Sequence, residues 1–199
     1  MITHLTNLLR LAEAKGLIRA RDLDEYEIPR QYLSIACKRG LLERLDRGLY
    51  SIPGSIQSEH RSLAEVCALV PHGVICLLSA LQFHGMTTQS PFEVWLAIGE
   101  SKMIPRIGLV QLRIARFSTA SLKAGVELHE MNGAELRVFS AAKTVADCFK
   151  YRNKIGVDIA IEALRDYLRQ RKGPFDDLTE YARVCRVERV MGPYLEALL

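Results

Sequence analysis

Apolar residues recur every three or four positions through the first forty residues and then every second position, and this change of period marks the first elements. Leu5, Leu8, Leu9 and Ala12 share one face of a helix over 3–14, and Gly16 stops it as a left-handed cap. A short second helix is expected over 21–26. Pro29 suits the first turn of a third helix, because its missing N–H costs nothing there. That helix runs to Arg39, and Gly40 ends it. Residues 41–52 read as a hairpin turning at Asp46, Arg47 and Gly48. The expected core of this part is Leu5, Leu8, Leu9, Leu17, Leu23, Ile28, Leu33, Leu41, Leu45 and Leu49.

Ile52-Pro53-Gly54-Ser55 is the clearest boundary, punctuated by Pro and Gly. Beyond it a helix is expected over 58–69 with Ser58 as its cap, and another over 79–84 ended by Gly85. Strands are expected over 92–98 and 109–117, with weaker ones over 126–128 and 136–139. A helix follows the N-cap Ser140. Val157, Ala160, Ile161, Leu164 and Leu168 make one apolar stripe, closed by Gly173-Pro174, and short helices over 177–186 and 193–199 finish the chain. The pattern is α+β: an N-terminal winged helix-turn-helix over residues 1–52, then a mixed α/β domain over 56–199 with a helical C-terminal tail.

Composition narrows the class without deciding it. Of 199 residues, 49% are hydrophobic and 25% charged, as in an ordinary folded protein, and the formal charge of +4 permits nucleic-acid binding without demanding it. No apolar run approaches the roughly 20 residues that span a bilayer, and the first ten residues do not read as a signal peptide. Cys37, Cys67, Cys76, Cys148 and Cys185 are odd in number, scattered, and set in apolar helical patterns. They read as small core residues of a protein in a reducing cytoplasm, with neither a disulfide framework nor a zinc site.

Stepping 100° per residue from Leu33 sorts the third helix into faces. Leu33, Ala36, Cys37 and Gly40 fall on the side expected to be buried. Gln31, Ser34, Ile35 and Lys38 fall opposite, flanked by Arg30 and Arg39. An amide, a hydroxyl, an aliphatic group and an ammonium are what a major-groove reading helix presents: Gln for adenine, Lys for guanine, an aliphatic group for a thymine methyl. The basic flanks and the helix N-terminus suit phosphates. Arg44 and Arg47 near the hairpin turn suit a wing that approaches the DNA backbone or minor groove, although Glu43 and Asp46 partly offset their charge. The expected DNA-binding residues are therefore Arg30, Gln31, Ser34, Ile35, Lys38, Arg39, Arg44 and Arg47.

The run IPRQYLSIACKRGLLERLDRGLY at 28–50 resembles the winged helix of AbiEi-type antitoxins. The resemblance continues through LSALQFHG at 78–85 and FSAAKTVADCF at 139–149, and closes with PYLEALL at 193–199. No single motif is specific, but their order is. The resemblance implies a transcriptional regulator of a type IV toxin–antitoxin, phage-defence operon. Such a protein represses its own operon through the winged helix, on double-stranded operator DNA carrying repeats. The C-terminal part is then needed to counter a cognate nucleotidyltransferase-like toxin, functionally and not necessarily in a direct complex.

The remaining candidate chemistry is sparse. His84 reads as a helix-end histidine on the last carbonyls of its helix. Lys143 and Asp147, four apart, share a helix face and can pair. With Thr144 they form a set of the kind that grips phosphate, but no Gly-rich loop precedes them. Asp176 and Asp177 read as a helix cap. His60, His72 and His129 have no partner at ligand spacing. No paired carboxylates and no nucleophile–base set are visible, so neither catalytic residues, nor a metal, nor a cofactor is expected. Two basic clusters, Lys150, Arg152 and Lys154, and Arg165, Arg169, Arg171 and Lys172, read as a solvated face or as a surface for DNA or an acidic partner. Two rival functions remain. One is a stand-alone winged-helix transcription factor. The other is a nucleic-acid-processing enzyme, which would need convergent acidic, His or Cys residues in a cleft.

Overall fold

The computed structural model describes residues 2–54, 61–108, 110–131 and 134–198, and the expected cap at Ser58, together with Ser55 and His60, lies outside them. The described residues form a mixed α+β fold that divides into two units. The first holds Met1–Pro71, Pro105–Gln111 and His129–Leu136; the second holds the rest of the chain.

In the first unit, α1 (Ile2–Lys15) is stopped by Gly16 at φ +69°, as its missing Cβ allows. Strand β1 (Leu17–Arg19) follows, then a 3-10 turn (Asp22–Tyr26), α2 (Gln31–Lys38), β2 (Glu43–Asp46), β3 (Leu49–Ser51) and α3 (Arg61–Leu69). The three strands make an antiparallel sheet in the order β1-β3-β2, with Ile18 opposite Tyr50 and Arg44 opposite Tyr50 on its other side. Three helical segments, then a hairpin whose second strand pairs with an earlier strand, are a winged helix-turn-helix. Leu8, Ile18, Leu23, Leu33, Ala36, Leu42 and Leu49 are buried in this unit. Helix α3 packs beside β1. Its Arg61 reaches the buried Glu65 at 2.7 Å and Glu43 of β2 at 3.8 Å.

A second sheet runs β6-β5-β4-β8-β7, built from β4 (Val74–Ile75), β5 (Val94–Gly99), β6 (Leu112–Phe117), β7 (Val126–Met131) and β8 (Ala134–Phe139). Strand β5 pairs parallel with β6 and antiparallel with β4, and β4 pairs parallel with β8. The helices are α4 (Leu77–Phe83), α5 (Thr119–Lys123), α6 (Ala141–Lys150), α7 (Arg152–Ile155), α8 (Val157–Arg169), α9 (Phe175–Cys185) and α10 (Glu188–Leu198). Helix α6 is the hub of the second unit and packs against α4, α8 and α9. Every residue from Ala141 to Phe149 is buried. Ser140 caps α6 as expected, accepting the Lys143 N–H at 3.3 Å.

Several sequence expectations are displaced. Leu41 is 37% exposed and Leu42 2%, because Gly40 at φ +67° turns the chain so that the N–H groups of both leucines point back at the Ala36 carbonyl. The inward phase thereby moves on by one residue. On α8 the buried stripe is Ile159, Ala160, Ala163, Leu164 and Tyr167, and Val157 is exposed. The stripe rotates to take in Tyr167, whose hydroxyl donates to the Pro174 carbonyl at 2.9 Å. Helix α10 begins at Glu188 and contains Pro193, where the sequence places a helix start. Asp176 and Asp177 stand in the first turn of α9, where they suit the helix dipole, but they make no side-chain cap bond. The His84 ring Nε2 lies 2.8 Å from the Phe139 carbonyl at the end of β8.

Lys143 and Asp147 do pair. Nζ stands 2.6 Å from Oδ2, and both side chains are 0% exposed. The ammonium also lies over the rings of Phe139 and Phe117, at 4.3 and 5.0 Å. Thr144 Oγ1 donates to the Phe139 carbonyl, and Cys185 Sγ donates to the other Asp147 oxygen at 3.1 Å. The set is a sealed structural unit that no phosphate reaches.

Candidate nucleic-acid interface

Helix α2, the helix expected to read bases, is eight residues long and so is held by its neighbours more than by itself. Tyr32, Leu33 and Ala36 are its buried residues. The Tyr32 ring meets His4 of α1 at 5.3 Å. The approach to the helix is fixed by polar contacts. Arg19 of β1 forks onto Asp22 with Nε at 2.9 and 3.0 Å from the two oxygens, and its backbone N–H adds a third bond at 3.2 Å. Glu27 takes the left-handed conformation at φ 52°, and the Ile28 N–H returns to the Leu23 carbonyl. The Pro29 carbonyl then accepts the Tyr32 N–H, so the helix proper starts at Gln31, two residues after the proline.

Gln31, Ser34, Lys38 and Arg39 are exposed, Gln31, Ser34 and Lys38 on the face expected for them. Ile35 is half-buried and packs against the core. The buried arc is centred nearer Tyr32 than the sequence suggests, and Ile35 stands at its edge. Cys37 is half-buried too, and burial pushes its thiol pKa up while the Arg44 guanidinium acts the other way. Gly40 is exposed, not buried; its role is the left-handed turn that leads into the hairpin. Arg30 is exposed but engaged. Its guanidinium stands 2.6 Å from Asp24, and that hydrogen bond raises its pKa further.

On the wing, Arg44 and Arg47 are both exposed, and Gly48 at φ +80° makes the turn. Arg44 Nε donates to the Asp46 carbonyl at 3.2 Å, and the Arg47 N–H donates to Asp46 Oδ1 at 2.5 Å. The eight residues expected to bind DNA therefore fall into one small module, six of them on or beside α2 and two on the wing. Sequence reasoning missed β1, which carries the wing's second strand, and missed the roles of Asp24 and Asp46 as partners of the basic residues. A three-residue strand shows no period, and an acid's partner is set by the fold. Among the described residues no group of three or more His, Cys, Asp or Glu side chains is assembled to hold a metal. Among them, too, no helix is long and apolar enough to cross a membrane.

Comparison with known proteins bears on this module directly. The fold is similar to that in the crystal structure of the RV2827C protein from Mycobacterium tuberculosis, with a TM-score of 0.61 at 14% identity, over 98% of this chain and 78% of that one. No curated protein matches the sequence. Residues 8–53, from α1 to the end of the wing, match the family model described as a transcriptional regulator, AbiEi antitoxin. The segment that builds the winged helix is thereby similar to the AbiEi antitoxin family of transcriptional regulators.

Proposed function

We propose that the chain is a DNA-binding repressor and the antitoxin of a type IV toxin–antitoxin system. Residues 1–52 read operator DNA, and residues 56–199 counter a nucleotidyltransferase-like toxin made from the same operon. The observation that carries the DNA-binding part is the division of α2. Leu33 and Ala36 are locked in the core while Gln31, Ser34 and Lys38 stand exposed side by side. An eight-residue helix so anchored presents its polar face rigidly, as base-edge contacts require. Arg39, Arg44 and Arg47 supply cations beside it, and Arg30 is held in place by Asp24. The family match over 8–53 supports the regulatory role. The antitoxin role rests on that family description, and on a second unit with its own core.

The test keeps the full chain and separates the two roles. Gln31→Ala or Lys38→Ala is expected to weaken binding to the duplex upstream of the chain's own gene by about 1–3 kcal/mol, and binding to random duplex much less. Both variants are expected to rescue growth against the neighbouring toxin as well as the wild type does. Equal losses on both duplexes sink the base-reading assignment. Loss of rescue by these variants sinks the division of labour.

A further inference from the structure

We propose that Arg106 is a third phosphate-contacting cation on the wing side of the module, seated there by a hydrogen bond from Gly108 to Asp46. This rests on the DNA-binding reading above and extends it to a residue far from the winged helix in sequence. Residues 105–111 belong to the same unit as the winged helix. The Gly108 N–H donates to Asp46 Oδ2 at 3.0 Å across 62 residues of chain. Asp46 ends β2 at the turn of the wing, and its other oxygen already accepts the Arg47 N–H. Arg106 is two residues from Gly108, so their Cα atoms lie within about 7 Å of one another. Its side chain is exposed. The Arg106 backbone is thereby held near the wing turn, with its side chain open to solvent.

The charges around that turn favour an anion. By composition the hairpin looks balanced, with Glu43 and Asp46 against Arg44 and Arg47. The structure breaks that balance. Glu43 accepts from Ser51 at 3.2 Å and faces Arg61 at 3.8 Å. Asp46 has both carboxylate oxygens occupied by backbone N–H groups. Both acids of the wing are thus engaged within the unit. Among the described residues, neither the Arg47 nor the Arg106 side chain makes a hydrogen bond or an ion pair, and Arg44 gives only Nε to a backbone carbonyl. Other arginines of the unit are committed: Arg19 to Asp22, Arg30 to Asp24, Arg61 to Glu65. Three guanidinium groups near one turn, none of them paired with a carboxylate, outnumber the one acid beside them, Asp46, that no cation faces, and suit the closely spaced phosphates of a DNA backbone.

The test measures affinity of the full chain for a random-sequence duplex against salt concentration. Each phosphate contact contributes about 0.9 to the slope of log affinity on log salt, so losing one removes about a 3.5-fold loss of affinity over a four-fold rise in salt. Arg106→Ala is expected to reduce the slope by about that one contact, alike on random and upstream duplex, with the melting temperature unchanged. Arg106→Lys is expected to restore it. In an Asp46→Ala background, which removes the acceptor for Gly108, Arg106→Ala is expected to change the slope by clearly less. If Arg106→Ala keeps the wild-type slope while Arg44→Ala with Arg47→Ala reduces it, the inference falls and the DNA-binding reading stands. If the wild-type chain binds neither duplex, that reading falls and takes the inference with it.

Discussion

Replacing Lys143 by Met leaves the Asp147 carboxylate at the centre of the second unit with only the Cys185 thiol as a donor. Burial already raises the pKa of Asp147 above its ordinary value, against the pull of Lys143 and of the thiol. Without the ammonium the group takes up a proton on folding. Doing so at pH 7 from an ordinary value of about 3.9 costs about 4.2 kcal/mol. Asp147→Leu makes the mirror-image lesion. The ammonium of Lys143 keeps its two aromatic faces but loses its counter-ion, and breaking a buried pair in this way is expected to cost roughly 3–5 kcal/mol. The figure for Lys143→Met lies within that same range.

The pH dependence of the two variants differs and identifies the mechanism. In Lys143→Met the folded pKa of Asp147 lies above its unfolded value. The associated stability is full below about pH 3.9 and lost as pH rises through the folded pKa, so this variant recovers in acid. Asp147→Leu strands a buried cation instead of a carboxylate, so acid is not expected to restore it. The double variant Lys143→Met/Asp147→Leu removes both charges and is expected within about 1 kcal/mol of the wild type, or more stable. Thermal melts followed by circular dichroism from pH 4 to about pH 9 read all of this; a loss of about 4 kcal/mol in a chain of this size lowers Tm by roughly 8–16 °C. Single variants that lose under about 1 kcal/mol, or a double as damaged as either single, would show that the pair is not sealed from water.

Two further predictions concern the winged helix. Leu42→Ala is expected to cost about 2–4 kcal/mol, because Leu42 is 2% exposed, while Leu41→Ala is expected to stay within about 0.5 kcal/mol of the wild type; urea unfolding compares them, and equal losses would contradict the shifted phase after Gly40. Arg44→Ala with Arg47→Ala is expected to reduce the salt slope of DNA binding by up to about two contacts without altering the fold; an unchanged slope would mean that the hairpin does not touch DNA.

How much of this was legible before folding follows from the length of each element. Helix α1 and the reading helix carry enough turns for their apolar positions to declare a period, and the glycines at 16, 40 and 48 mark their ends and the wing turn by the positive φ they adopt. Strands β1 and β4 have three and two residues, too few for any alternation, yet β1 completes the wing's sheet and β4 stands at the centre of the larger one. On α2 the polar residues Gln31, Ser34 and Lys38 fell outward as their spacing required. Ile35 did not, because Tyr32, counted on neither face, packs inward and pulls the buried arc toward itself. The hydrogen bond from Gly108 to Asp46 was out of reach of any local pattern, since it spans 62 residues of chain.

The resembling motifs also turn out to mean different things physically. The run at 139–149 holds the chain's most reactive-looking set, Lys143, Thr144 and Asp147 beside Cys148, and a motif reader would look for chemistry there. All nine residues from Ala141 to Phe149 are buried, and burial drives the Cys148 thiol well above its ordinary pKa, so it stays an unreactive thiol. This helix is packed on by α4, α7, α8, α9 and α10, with those nine residues buried among them; its residue pattern records packing. The run at 28–50 is the opposite case. Its apolar half is fixed by the core, while Gln31, Ser34 and Lys38 touch nothing the fold requires. These three positions can change with little cost to stability. If these residues read DNA as proposed, surface substitution alone can give such a module a new operator, and a match over 8–53 speaks for the kind of module and not for the sequence it reads.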